Sequence, residues 1–164
     1  LDTILLHEKQ QNKLLSKIIN HFIGLGIEIR IQPKLFQKAK KINPSKLIKK
    51  ASEKDWGQEY LNLIVSLKTV PSIESAIKHI DRYSFGHTDG IISNIIKNQK
   101  IFTEKVNSSA VTVNASTRFN DGGELGLGAE IAVSTTKVSP RGPLGLNEIT
   151  SYKWIIVGKG HIRS

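Results

Sequence analysis

Apolar and polar positions alternate in two different rhythms along the first part of the chain. Residues 2–6 form a short apolar and β-branched run, whereas residues 9–22 carry apolar side chains at helical spacing. A second alternating run over 27–31 follows two glycines, and Pro33 ends it while opening a short helix. The alternating apolar residues of 61–67 predict a further strand. Strand and helix therefore alternate through this region.

The middle of the chain continues the same order. Ser72 precedes apolar positions at helical spacing over 73–80 and is the expected N-cap of that helix. Residues 89–93 predict a strand, 95–106 a helix and 109–114 another strand. This alternation predicts an α/β fold with a largely parallel sheet.

Residues 115–150 break this pattern. Six glycines and two prolines fall there and leave little room for regular structure. The apolar side chains of Phe119, Leu125 and Leu127 argue against disorder, and long ordered loops of compact domains usually line sites. We therefore expect this region to be functional, and residues 152–157 to form a late strand.

The composition fits one folded domain. The chain has 164 residues, of which 38% are hydrophobic and 23% charged, close to the globular average. No uncharged apolar run approaches the ~18 residues of a membrane span. The sequence lacks methionine and begins with Leu1, which predicts a piece of a longer protein, and its start does not resemble a signal peptide. The expected compartment is the cytosol, without a membrane partner.

The formal net charge of +10 is concentrated in one region. Residues 9–54 contain twelve Lys and Arg against two acidic residues. A basic stretch over 34–54 could attract nucleic acid, although it contains no recognisable nucleic-acid-binding motif. The alternative is a solvated face in a chain whose Lys outnumber its Arg 19 to 5.

Missing residue types exclude several kinds of chemistry. The chain has no cysteine, and therefore no disulfide, thiolate metal site or cysteine nucleophile of its own. Its five histidines have no metal-binding spacing, so we expect no metal site. The glycines of 122–128 match neither the dinucleotide fingerprint nor the Walker pattern. Either a tight approach to a ligand or simple turn formation would account for them.

Two arginines lie within the glycine-rich region of this lysine-rich chain, Arg118 and Arg141. A planar guanidinium grips a carboxylate or phosphate through two hydrogen bonds, which an ammonium cannot imitate. Binding of an anionic ligand and structural ion pairing are both open for these two residues.

Several stretches together resemble one family. They are DTILLH at 2–7, EYL at 59–61, GHTDGIIS at 86–93, SSAVTVNASTRFNDGGELGLGAE at 108–130, ST at 134–135, RGPLG at 141–145 and TSYKW at 150–154. The chain resembles the C-terminal part of gamma-glutamyl phosphate reductase, of the aldehyde dehydrogenase superfamily, over essentially its whole length. This implies an aldehyde dehydrogenase-like catalytic-domain portion over 1–150 and a C-terminal oligomerisation strand and tail over 151–164.

The resemblance implies a reductase of proline biosynthesis. The family converts L-glutamyl 5-phosphate to L-glutamate 5-semialdehyde through a cysteine nucleophile, with NADP as its cofactor. By that resemblance the cysteine would fall shortly before Leu1, and most of the cofactor domain would lie further upstream. We therefore expect the chain to be inactive by itself.

The resemblance also assigns residues. Those implied to line the substrate channel are Asn114, Ser116, Thr117, Arg118 and Phe119. Arg118 and Arg141 are candidates for holding a substrate carboxylate or phosphate, and Glu59 resembles a glutamate that contacts the nicotinamide ribose. The chain departs from the family at Asn107, Thr112, Leu125 and Ser139, which leaves the fit to the substrate open.

Two non-catalytic functions remain as alternatives. The chain could associate with itself or with a complementary N-terminal piece through exposed edges and the 152–157 strand. It could also bind nucleic acid through residues 34–54, in which case binding would weaken steeply with salt.

Overall fold

A computed structural model describes residues 1–128, 131–133, 140–151, 153, 155 and 157, with the backbone alone for 131–133. Its largest element is a four-stranded parallel sheet with the strand order β1-β4-β2-β3. The strands are β1 (Thr3–His7), β2 (Glu28–Ile31), β3 (Ile48–Lys50) and β4 (Ile64–Val70). The predicted α/β fold with a largely parallel sheet is confirmed.

Two helices cover one face of this sheet. They are α1 (Gln11–Gly24), entered through a 3-10 turn at Glu8–Gln10, and α2 (Phe36–Ile42), entered through a 3-10 turn at Pro33–Leu35. Ten buried residues form the core between helices and sheet, among them Leu15, Ile29 and Leu67. Burying them supplies the main hydrophobic stabilisation of the sheet.

The connection from β3 to β4 runs back across the sheet, opposite to the two preceding crossovers. Because parallel crossover connections are right-handed, this connection must lie on the face of the sheet opposite to α1 and α2. The contacts agree, because the Ser66 hydroxyl of β4 donates to the Asp55 carbonyl at 3.0 Å and the Lys68 ammonium lies over the Trp56 ring. A 3-10 turn at Glu53–Gly57 forms part of this connection. The two faces of the sheet are therefore unlike.

We call the second face the polar face; its residues include Glu28, Arg30, Lys49, Ser66 and Lys68, which share one side of the paired strands. The Glu28 carboxylate forms ion pairs with Arg30 and Lys49, each with an N–O distance of 2.5 Å. Burial would raise the pKa of Glu28, but its hydrogen bonds to Lys49 and Arg30 outweigh this and lower the pKa.

A second unit follows β4. Helix α3 (Ile73–Tyr83) begins after Ser72, whose hydroxyl accepts from the Ser75 amide at 3.2 Å as predicted for an N-cap. Strands β5 (Thr88–Ile91) and β6 (Ala110–Val113) are parallel and are joined by α4 (Ile96–Lys105). A small core of Ile77, Phe102 and Val106 holds α3 and α4 together. This βαβ unit carries the segment that the sequence indicates as functional.

Residues 115–150 contain more regular structure than predicted. They include a 3-10 turn at Thr117–Phe119, an antiparallel pair of β7 (Ile131–Val133) with β8 (Gly142–Leu144), and the short helix α5 (Leu146–Ile149). The prediction failed because glycine does not exclude a strand: Gly142 is the first residue of β8, at φ +89°.

Two further predictions need correction, and one is not tested. The strand predicted over 61–67 begins at Ile64, since Leu61 and Leu63 are 88% and 62% exposed and Leu61 has a left-handed φ of 48°. Strand β3 was not predicted, because it is a short edge strand whose two lysines leave no apolar alternation to detect. The predicted strand at 152–157 lies largely outside the described residues, as does the tail over 158–164.

None of the helices among the described residues is long and apolar enough to cross a membrane.

Candidate functional site

Asn114 directly follows β6 and joins it to Ser93, two residues after the end of β5. Its backbone takes a left-handed φ of 53°, which asparagine tolerates better than most residues. Its carboxamide oxygen accepts from the Ser93 amide at 2.8 Å, and its amino group donates to the Ser93 carbonyl at 3.0 Å. Because both ends of the carboxamide are used, Asn114 fixes where the following turn begins.

The 3-10 turn after Asn114 presents two large side chains to solvent. Ser116 caps this turn, since its hydroxyl accepts from the Arg118 amide at 3.2 Å. Arg118 is exposed, and its guanidinium makes no hydrogen bond or ion pair with any residue that the structure describes. Phe119 beside it is 55% exposed. The turn therefore presents to solvent a cation that has no partner in the described part of the chain, next to an aromatic residue in sequence.

Close packing against β5 holds this turn in place. The Asn120 amino group donates to the Thr88 hydroxyl at 2.6 Å. A Cβ on Gly90 would lie 3.4 Å from the Thr117 methyl group and would collide with the Thr112 hydroxyl. Glycine at position 90 thus lets the Thr112 side chain of β6 and the turn approach β5 closely.

Arg141 is placed differently from Arg118. One of its terminal nitrogens donates to the carbonyl of Asn107 at 3.3 Å and to its side-chain oxygen at 3.2 Å. It lines a cavity of about 210 Å³ with Asp81 and Ser108, among other residues. None of residues 114–119 lines this cavity. The structure therefore brings five of the predicted channel residues together on one turn and puts Arg141 against Asn107.

Glu59 lies in the connection before β4. Its side chain is exposed, and its carboxylate has no hydrogen bond or ion pair with a described residue. The adjacent Tyr60 is firmly anchored, because its hydroxyl lies 2.9 Å from a carboxylate oxygen of Asp55 and 2.8 Å from the Ser66 hydroxyl. The Glu59 carboxylate, which has no partner among the described residues, therefore lies next to Tyr60, whose side chain is anchored to the fold.

Burial and hydrogen bonding shift the pKa values of this anchor. Burial, helped by the carboxylate of Asp55, raises the pKa of Tyr60 to about 12. Burial would also raise the pKa of Asp55, but hydrogen bonds from the Ser52 amide and hydroxyl outweigh it and lower the pKa. At neutral pH the anchor is therefore an ionised carboxylate held by neutral donors.

Sequence reasoning missed this anchor and the partner of Arg141. The spacing of Ser52 and Asp55 is a capping-box pattern that could have indicated the 3-10 turn. No local signal connects Tyr60 with Ser66 or Asn107 with Arg141, since both contacts depend on the tertiary fold. Within the described part of the chain, no group of three His, Cys, Asp or Glu residues could hold a metal ion.

Comparison with known sequences finds close relatives. The chain is 46% identical over 163 residues to a gamma-glutamyl phosphate reductase of Thermoanaerobacter sp. (strain X514) and 42% identical to one of Dehalococcoides mccartyi (strain ATCC BAA-2266 / KCTC 15142 / 195). These matches cover 99% of this chain and 38% of each relative. The chain thus spans well under half the length of these relatives. No family model matches it.

Comparison with solved structures also finds a gamma-glutamyl phosphate reductase. The crystal structure of a gamma-glutamyl phosphate reductase from Thermotoga maritima matches with a TM-score of 0.83 at 40% identity, over 99% of this chain and 38% of that one. An acetylating aldehyde dehydrogenase from Geobacillus thermoglucosidasius matches with a TM-score of 0.53 at 18% identity, over 99% of this chain and 44% of that one. The second likeness shows the predicted aldehyde dehydrogenase-like fold.

Proposed function

The chain is homologous to the gamma-glutamyl phosphate reductases over 99% of its length, and on that premise we propose that it forms part of an enzyme reducing L-glutamyl 5-phosphate to L-glutamate 5-semialdehyde in proline biosynthesis. The observation that carries the proposal is the agreement of sequence and backbone, with 46% identity to one such enzyme and a TM-score of 0.83 to another. A cytoplasmic location is part of the same proposal.

Arg118 is the residue best suited to hold the substrate. Its guanidinium is exposed, free of partners among the described residues, and carried on a turn that Ser116 and Asn114 fix. A free guanidinium can bind a carboxylate or phosphate oxygen pair with little rearrangement. In the proposed channel, Thr117 packs against β5 while Phe119 forms an apolar wall. Arg141 keeps spare donors for an anion, but its contact with Asn107 already uses one nitrogen.

Glu59 is proposed to accept hydrogen bonds from the ribose of a nicotinamide cofactor. The cofactor, NADP by resemblance, supplies hydride transfer when it is bound. The residues fit this group because the exposed Glu59 carboxylate, which has no partner among the described residues, lies next to Tyr60, which is anchored in the fold. Tyr60 would keep the loop, and therefore Glu59, at a constant position.

We propose that these residues have no reductase activity by themselves. The acyl transfer of this reaction needs a thiolate nucleophile, and the 164 residues contain no cysteine. Losing a nucleophile from a catalytic unit typically removes most of the rate gain, on the order of 10⁶-fold in the best-studied case.

The experiment has two steps. The purified chain is assayed with glutamate 5-semialdehyde, phosphate and NADP, and we expect no NADPH formation above background. The chain is then joined to the part of the Thermoanaerobacter reductase that it does not match, which should give an active enzyme. In this joined enzyme Arg118→Lys should lower kcat/KM about tenfold or more.

The matched control is Arg82→Lys, which changes an exposed arginine on α3 and should leave kcat/KM unchanged. Turnover by the purified chain alone would contradict the inactivity. A folded but inactive joined enzyme would contradict the function, and equal effects of the two arginine changes would contradict the role of Arg118.

A second candidate is a non-catalytic fragment that associates with itself or with a complementary piece. Ile92 and Ile96 are 80% and 77% exposed, and neighbouring exposed apolar residues of this kind often mark contact surfaces. The oligomerisation strand proposed over 152–157 would be a second contact surface. Analytical ultracentrifugation of the chain and of its Ile92→Asp variant tests this. If both proteins are monomeric at concentrations about 100 times a typical micromolar Kd, the candidate is contradicted.

Nucleic-acid binding by 34–54 has less support. Several of its lysines already have partners within the chain: Lys34 pairs with Glu8, Lys40 donates to the Ser45 carbonyl, and Lys49 pairs with Glu28. Binding to a DNA duplex should therefore be weak at ~0.15 M salt, and tight binding there would favour this alternative.

A further inference from the structure

A cavity of about 300 Å³ opens at the carboxyl ends of β2 and β3, on the polar face. Its walls include Gln32, Pro33, Ala51, Trp56 and Lys68. Open parallel sheets bind ligands in crevices outside the carboxyl ends of their strands. None of the seven residues assigned above to substrate or cofactor lines this cavity.

Lys68 brings a cation without a counter-ion to this cavity. Its ammonium is partly buried, lies 5.0 Å from the centre of the Trp56 ring and is 3.3 Å from Nδ1 of His79. It forms no ion pair with any carboxylate of the described residues. A partly desolvated charge lacking a partner is unfavourable, and an incoming anion offsets that cost.

The groups that contact the Lys68 ammonium among the described residues, His79 and the rings of Trp56 and Tyr83, carry no negative charge at pH 7. Burial and the nearby Lys68 lower the pKa of His79 to about 4, so its imidazole is neutral at pH 7 and can accept from the ammonium. An ammonium has three N–H donors, and His79 accepts one of them. Glu53 also lines the cavity and accepts from the Tyr83 hydroxyl at 2.7 Å; this neutral donor leaves the carboxylate charged, but Glu53 forms no ion pair with Lys68.

Gln32 supplies a second, neutral donor. Its side-chain oxygen accepts from both the amide and the hydroxyl of Thr69, each at 3.2 Å. This leaves the carboxamide amino group without a partner among the described residues. Pro33, Ala51 and Trp56 form apolar walls, and Ser52 and Glu53 complete the lining with a hydroxyl and a carboxylate. The cavity therefore combines the donors of Lys68 and Gln32 with apolar surface on one side.

We propose that this cavity binds a small monocarboxylate. Lys68 and Gln32 donate to the carboxylate oxygens, while the ring of Trp56 and the neighbouring apolar walls contact the body of the ligand. The charge favours a monoanion over phosphate, because a single cation faces the cavity and the carboxylate of Glu53 also lines it. The site goes beyond the proposed reductase function and does not rest on it.

The full chain with Trp154→Phe is suited to the test, since Trp56 is then its only tryptophan. Trp56 fluorescence is followed during titration with sodium isobutyrate, with isobutyramide as the uncharged isostere and inorganic phosphate as the competing anion, all at constant ionic strength. We expect saturable binding of isobutyrate, and binding of the amide and of phosphate that is weaker by about tenfold or more.

Substitutions in the same background locate the site. Lys68→Met should weaken isobutyrate binding about tenfold or more. Lys68→Arg should retain binding, because the guanidinium replaces the ammonium as a charged hydrogen-bond donor to the carboxylate. The matched control Lys46→Met removes an exposed lysine away from the cavity lining and should leave the affinity unchanged. Circular dichroism checks that each variant is folded.

Should Lys68→Met fail to fold, Gln32→Glu replaces it, since a carboxylate on the wall should repel the ligand and weaken binding by a similar factor. The proposal is overturned by equal affinity for isobutyrate and isobutyramide, by preference for phosphate, by a response that does not saturate, or by an unchanged affinity in the folded Lys68→Met or Gln32→Glu variant.

Discussion

Gly90 lies where β5, β6 and the turn after β6 approach each other most closely. A methyl group at position 90 would collide with the Thr112 hydroxyl and would touch the Thr117 methyl group at 3.4 Å. Overpacking of this kind costs about 1–3 kcal/mol. We therefore expect Gly90→Ala to lower the free energy of unfolding by that amount, measured by urea denaturation.

Two further variants separate packing from glycine flexibility. Adding Thr112→Ala to Gly90→Ala should recover part of the loss, since it removes the colliding hydroxyl. Gly24→Ala, at a helical glycine with open space around it, should be neutral or stabilise by up to about 1 kcal/mol. A destabilisation of equal size at both glycines would contradict the packing explanation.

His79 makes the stability of the chain depend on pH. Burial first and the charge of Lys68 second lower its pKa from 6.5 to about 4. Between these values the unfolded chain binds a proton that the folded chain does not, so the free energy of unfolding falls as the pH drops through this window. From pH 7 to pH 5 we expect a loss of about 1–2 kcal/mol, measured by urea denaturation.

The loss should be smaller in His79→Leu and unchanged in His21→Leu, which removes an exposed histidine. The range from pH 7 to pH 5 separates His79 from the carboxylates. The pKa values of Glu28 and Asp55 are lowered in the fold, so the stability that they contribute is lost only below about pH 4.5. An equal loss in all three proteins between pH 7 and pH 5 would rule out His79 as the cause.

At the scale of elements, the Tyr60 hydroxyl is one of the groups that hold the connection from β3 to β4 against the sheet. The Tyr60 hydroxyl joins Asp55 to Ser66 and so attaches the loop that carries Glu59 to the sheet. Tyr60→Phe leaves the Asp55 carboxylate short of a donor. We expect it to lower the free energy of unfolding by about 1–3 kcal/mol and to speed amide hydrogen exchange over 58–63.

Tyr83→Phe is the matched control, since it removes a single exposed hydrogen bond, to Glu53. We expect it to cost no more than about 0.5 kcal/mol and to leave exchange over 58–63 unchanged. Equal effects of the two tyrosine variants would show that the Tyr60 hydroxyl has no special role in holding the loop.

At the scale of the whole molecule, the two units are unequally supported. The four-stranded sheet shares a core of ten buried residues with α1 and α2, whereas three buried residues hold α3 and α4 together in the second unit. Fewer buried apolar contacts mean a lower free energy of local opening. In the isolated chain we therefore expect the amides of β2 and β4 to exchange most slowly and those of β5 and β6 clearly faster.

Native-state hydrogen exchange followed by mass spectrometry measures this difference. In the joined enzyme of the proposed function, the exposed apolar surface around Ile92 and Ile96 should gain a partner, and exchange in β5 and β6 should slow more than in β2. Equal protection of both units in the isolated chain would contradict the unequal support.

The sequence by itself determined the local elements and the relationship. Helical spacing defined α1, α3 and α4, Ser72 marked a cap, and alternation of strand and helix indicated the parallel α/β class, because these signals depend on neighbours within a few residues. The resemblance to reductases came from contiguous motifs and agrees with the relatives found.

Only the tertiary structure decided which polar side chains are free and which are occupied. Arg118 and Arg141 look equivalent in sequence, yet the fold gives Arg141 a partner in Asn107 and leaves Arg118 without one among the described residues. The same holds for Lys68 in β4 and Gln32 just after β2, which the fold brings together at one end of the sheet. The physical reason is that hydrogen bonds and desolvation depend on groups distant in the chain, which no local pattern specifies.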